Sequence, residues 1–164
     1  MLILFLSFYF LSALAAVGDL PTTTLFRGKC SFGNFGYLTF QEKQGTAGET
    51  ANKRIIDVGG YLTGLCPQTT YTLYFHSNNN INCKCKNVGL MLGRVGVLNI
   101  DMTTAVTPTI NFTDLKFSLV PVKDGYPALY GSSCVLKLSS RYCGRARCPE
   151  TLCGAVTIES IIEA

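Results

Sequence analysis

Along much of the chain apolar and polar positions alternate with a period of two, the spacing at which successive side chains of an extended strand point to opposite faces. Residues 36–41, 71–76, 95–100, 115–120 and 134–138 are short runs of this kind, rich in β-branched and aromatic side chains. Gly, Pro, Asn and Asp bound them, and residues 57–60, 78–80 and 123–125 supply turn signals between them. No stretch reads as a long helix. The pattern predicts an all-β fold, an antiparallel sandwich or barrel, with neither an internal repeat nor a linker dividing the chain.

The N-terminus departs from this pattern. Residues 1–16 are almost wholly apolar and carry no charge, and Ala13-Leu14-Ala15 offers small residues at the spacing signal peptidase accepts. We read a secretory signal peptide over 1–16 and a single β domain over 17–164. The rival, an uncleaved anchor, falls short of the ~20 apolar residues that span a bilayer. No later run approaches that length, so a soluble, secreted mature protein without a membrane span is expected.

Composition narrows the chemistry. With 48% hydrophobic residues and 15% charged residues among 164, the chain has the makings of a core. Its eight cysteines fit an oxidising compartment, where an even number of thiols reads as a disulfide framework. The sequon Asn111-Phe112-Thr113 makes Asn111 a glycosylation candidate in that same compartment. A net charge of +4 is too weak a bias to suggest nucleic acid. Arg141, Arg145 and Arg147, with Lys84 and Lys86, form a basic cluster that either keeps the protein solvated or meets an acidic partner or surface. His76 is the single histidine, so neither a multi-imidazole zinc site nor a serine triad with a second histidine can be assembled.

Three stretches, taken in order, resemble the copper/zinc superoxide dismutase family over about residues 26–158. Gly36-Tyr37-Leu38-Thr39-Phe40 is similar to its opening hairpin strand. Gly60-Tyr61-Leu62-Thr63-Gly64-Leu65-Cys66-Pro67, running on to Tyr71-Thr72-Leu73-Tyr74-Phe75-His76, resembles "G-x-I-x-G-L-x-P-G … H-G-F-H-x-H". Gly131-Ser132-Ser133-Cys134-Val135-Leu136-Lys137, with Leu152-Cys153-Gly154-Ala155-Val156 beyond it, resembles "G-R-x-x-V-x-H … A-C-G-V-I". The resemblance implies a Greek-key β-barrel of about eight strands, a Cys85–Cys153 disulfide and, in many relatives, pairing of two barrels into a homodimer. Cys143 and Cys148 are a candidate pair across the shortened segment that stands in place of the family's electrostatic loop. The partners of Cys30, Cys66, Cys83 and Cys134 stay open.

Carried over position by position, the metal chemistry does not follow. The two copper imidazoles of the family's strand fall on Tyr74 and His76, the bridging ligand near Met91, and the last copper histidine on Lys137, whose protonated ammonium has no lone pair to give. Arg94 and Val97 stand where zinc ligands would be, and Glu150 where an arginine would guide superoxide. No cofactor is therefore expected: zinc has no ligand set, and His76 is at most a remnant of a copper site. No catalytic residue is assigned. The reading is a secreted pseudoenzyme, a binding or structural module whose partner is an unidentified protein or acidic surface. Its rivals are a divergent copper-dependent superoxide dismutase, using His76 with Tyr74 or Met91, and an unrelated cysteine-rich adhesion or receptor β-sandwich.

Overall fold

The structure, a computed structural model, describes residues 24–79, 85–100, 110–139 and 148–162. The segments expected to form the signal peptide and the Arg141/Arg145/Arg147 cluster, together with Lys84, Cys83 and Cys143, lie outside these residues. Among the described residues there are eight strands: β1 (Leu25–Ser31), β2 (Gly36–Gln44), β3 (Arg54–Leu62), β4 (Thr69–His76), β5 (Met91–Ile100), β6 (Ile110–Leu115), β7 (Ser133–Leu138) and β8 (Thr151–Ile162). They form one antiparallel sheet in the order β5-β4-β7-β8-β1-β2-β3-β6. The two ends of that order, β5 and β6, approach one another, so the sheet is a nearly closed barrel. The all-β expectation holds, with eight antiparallel strands.

Alternation explains the interior. On β4, Tyr71, Leu73 and Phe75 are buried while Tyr74 and His76 point outward. The Phe75 ring meets Phe40 of β2 edge-to-face at 5.7 Å and Phe117 at 5.0 Å, a chain of contacts across the barrel worth about 0.5–1.5 kcal/mol per pair beyond burial. At the β5/β6 seam, where no hydrogen-bonded ladder runs, aromatic rings fill the gap. Phe112 and Phe117 lie over Gly96 and Gly93 so closely that a Cβ added at either glycine would overlap the ring.

Two sequence expectations are corrected. Residues 57–60 are not a turn; they run through the middle of β3, where Gly60 at φ 155° lets the strand pass against Tyr37 and Leu38 of β2. Residues 115–120 are not a strand beyond Leu115, because β6 ends there and the chain folds into a loop. The loop keeps its apolar residues inside: Phe117, Leu119 and Val120 are buried. Glu42 of β2 holds it from within, its carboxylate accepting the Leu119 N–H at 2.6 Å and the Phe26 N–H at 2.9 Å.

Two disulfides are formed among the described residues. Cys85 is bonded to Cys153 of β8, with Cα atoms 5.7 Å apart, which is the pairing the resemblance implies. The suggested Cys143–Cys148 pair is corrected: Cys148 is bonded to Cys66, with Cα atoms 5.0 Å apart, and so ties the segment before β4 to the segment before β8. Cys30 and Cys134 are buried free thiols on the inner face, facing each other past Gly154 of β8. No helix among the described residues is long and apolar enough to cross a membrane.

Candidate functional site

The outer face of β4, flanked by β5 and β7, collects the residues that the sequence singled out. Because β4 alternates, Tyr74 and His76 share this face, their rings 6.4 Å apart between centroids and edge-to-face. Strand register sets their neighbours. His76 stands across from Met91 of β5 and Ser133 of β7, Tyr74 across from Arg94 and Val135, and Thr72 across from Val97 and Lys137.

A strap formed by residues 85–90 returns along the end of β4 and fixes the imidazole. The Ser77 N–H donates to the Leu90 carbonyl at 2.8 Å, the Asn78 N–H to the Val88 carbonyl at 2.9 Å, and the Leu90 N–H to the Ser77 hydroxyl at 2.9 Å. Gly89 makes this closeness possible: at φ 79° a Cβ would collide with the Ser77 hydroxyl. Its carbonyl lies 3.1 Å from His76 Nδ1. A carbonyl only accepts, so Nδ1 carries the proton in this contact, leaving Nε2 as the nitrogen that bears the lone pair whenever the ring is neutral. Cys85, through Cys153, anchors the strap to β8.

The donors on this face do not fit a copper or zinc set. His76 brings one imidazole and Met91, 59% exposed, one thioether; beside them stand a phenol, a guanidinium and an ammonium. A transition ion ordinarily needs three or four lone-pair donors, and the cations Arg94 and Lys137 would repel it. No group of three or more His, Cys, Asp or Glu residues that could hold a metal lies among the described residues. Glu150 sits elsewhere, in the segment leading to β8, where its carbonyl accepts the Leu138 N–H at 2.8 Å.

The polar groups around this face are structural. The hydroxyls of Thr72 and Ser139 share a hydrogen bond of 2.5 Å, and Ser133 Oγ is buried with no hydrogen-bond partner among the described residues. Exposed apolar surface is concentrated where the strap meets β5, at Leu90 and Met91, which are 81% and 59% exposed.

Sequence reasoning missed the tether at the other end of β4. The Tyr71 hydroxyl donates to the Pro149 carbonyl at 2.5 Å and accepts the Cys66 N–H at 3.0 Å, directly beside the Cys66–Cys148 bond. Burial raises the Tyr71 phenol above its ordinary pKa, with the Cys66 N–H opposing. The only sequence signal was that Cys66 and Cys148 each precede a proline, which says nothing of pairing. No protein-family model matches the chain, and neither does any curated protein or solved structure.

Proposed function

We propose that the chain is a secreted, divergent barrel of the copper/zinc superoxide dismutase kind that serves as a non-catalytic binding or structural module. The observation that carries this reading is the chemistry of the outer face of β4 and β7, where the resemblance would put copper ligands. Those positions hold Tyr74, His76 and Lys137, one imidazole in place of a set. Other features support it. β7 returns beside β4 while β5 approaches β6, an order compatible with the Greek key that the resemblance implies. The Cys85–Cys153 bond is the cross-link the resemblance implies, and two disulfides are at home in an oxidising, extracellular compartment. The cationic pair Arg94 and Lys137 on the same face favours an acidic partner.

The test is metal analysis of the purified protein together with a superoxide-removal assay after incubation with copper and zinc salts. The expected result is substoichiometric metal and no dismutation. Stoichiometric copper with superoxide removal overturns the proposal.

A second reading keeps copper, and one observation favours it: His76 Nε2 has no hydrogen-bond partner among the described residues, and Met91, a soft donor, stands directly across the strand pair. Under that reading bound copper and dismutation are both lost in His76→Ala, whereas the module reading expects that variant to behave like the parent. The third reading, an unrelated adhesion or receptor sandwich, gives no reason for a Cys85–Cys153 bond. Non-reducing peptide mapping that failed to find that bond would favour it.

A further inference from the structure

We infer that Asn111 carries an N-linked oligosaccharide that lies over a polar groove on the outer wall of the barrel; the inference rests on the secretory part of the proposed function. Alternation along β6 makes the sequon compatible with the fold. Ile110 is buried, Asn111 and Thr113 are exposed, and Phe112 between them turns inward onto Gly96. The Asn111 side chain makes no hydrogen bond with any described residue, so attachment of a sugar sacrifices nothing inside the barrel.

The wall beside it has room. Asn111 pairs in register with Gly59 of β3, which contributes no side chain. The groove there has a volume of about 400 Å³ and is bordered by Arg27, Thr39, Gln41, Asp57 and Glu159. These side chains offer donors and acceptors to the hydroxyl and acetamido groups of a first N-acetylglucosamine. A Cβ at Gly59 would meet the Thr39 hydroxyl only at 3.6 Å, so the groove floor is not tightly packed.

Attachment is a group transfer without redox change. Nδ2 of Asn111 bonds to the anomeric carbon of an oligosaccharide held on a lipid pyrophosphate. The bond from that carbon to the pyrophosphate oxygen breaks, the lipid pyrophosphate leaves with the electron pair, and Nδ2 gives up one proton.

The experiment is expression of the full chain in a eukaryotic secreting cell, once with its own first 16 residues and once with an established secretion leader in their place. Peptide mass mapping before and after peptide-N-glycosidase is applied to secreted and cell-associated protein. The expected result is a sugar-bearing Asn111 peptide in which the glycosidase leaves aspartate at the attachment position, abolished by N111Q and T113A and retained by T113S. Unmodified Asn111 in protein delivered by the established leader overturns the site. Failure of the native leader alone, with Asn111 modified under the other, sinks only the secretory reading of residues 1–16.

Discussion

Replacing Glu42 by alanine removes a buried carboxylate that serves several partners at once. Glu42 is 1% exposed, and its carboxylate serves two backbone donors from distant segments, Phe26 at the start of β1 and Leu119 in the loop after β6. Its Oε2 also stands 3.9 Å from Nη1 of Arg54, itself 3% exposed and lying over the Phe26 ring at 5.9 Å. In Glu42→Ala both N–H groups lose their acceptor, about 1 kcal/mol each at the lower end for buried donors. Arg54 loses its counter-charge, about 3 kcal/mol at the lower end for a broken buried pair, the lower end being apt because the contact is long. The total, about 5 kcal/mol, is a large share of the ~5–15 kcal/mol that holds a domain folded. Urea unfolding followed by circular dichroism and tyrosine fluorescence measures it, the chain having no tryptophan. A double-mutant cycle with Glu42→Gln and Arg54→Met should return a favourable coupling of about 1–3 kcal/mol. A loss below about 1 kcal/mol for Glu42→Ala at unchanged m-value refutes the reasoning.

The same carboxyl sets a pH dependence: burial raises its pKa against the opposing pull of the Leu119 N–H, Arg54 and the Phe26 N–H. A raised native pKa means that the native state holds the proton more tightly, so Glu42's contribution is full below its unfolded value of about 4.3 and is lost as pH rises through the raised value. The stability of the parent relative to Glu42→Gln should therefore fall on going from about pH 4 toward neutrality; a difference that grows with pH contradicts it. Tyr71→Phe should cost about 1–3 kcal/mol by chemical denaturation, because it strands the Cys66 N–H and the Pro149 carbonyl, and a neutral result would show the tether to be idle. Cys30 and Cys134 should resist alkylation in the native protein and label on unfolding, since burial raises the Cys134 thiol well above its ordinary pKa; labelling of either at native-state rates contradicts their placement. Gly96→Ala should destabilise by about 1–3 kcal/mol through overlap with the Phe112 ring, with thermal melting as the check and an unchanged midpoint as the refutation.

What the sequence disclosed was local, and what it concealed was mostly distant. Period-two patterning found most of β2, β4, β5 and β7, although only β2 alternates cleanly between buried and outer positions, while β7 is buried at Ser133, Cys134, Val135 and Leu136 in succession. The same signal misled at residues 115–120. A loop that drops Phe117, Leu119 and Val120 into the barrel's end imitates a strand's alternation without its ladder. At 57–60 the two glycines suggested a turn, while Gly60 serves the close approach of β3 to Tyr37 and Leu38 of β2. Alternation likewise put Tyr74 and His76 on one face, but the Gly89 carbonyl that sets the imidazole's tautomer depends on a strap whose path no local pattern encodes. The Cys66–Cys148 bond was hidden for a similar reason: it joins residues 82 apart whose meeting depends on the order of strands between them.

That order also governs how the molecule must come into being. β8 lies between β1 and β7 and holds Cys153, while Cys148 stands just ahead of it, so the wall of the barrel and the two disulfides among the described residues wait on the last of the described strands. A ribosome delivers β1 first and β8 last; during that interval β1 has only β2 beside it, Cys66 and Cys85 have no native partners, and the unfinished wall needs guarding. The keystone arrives after every other described strand.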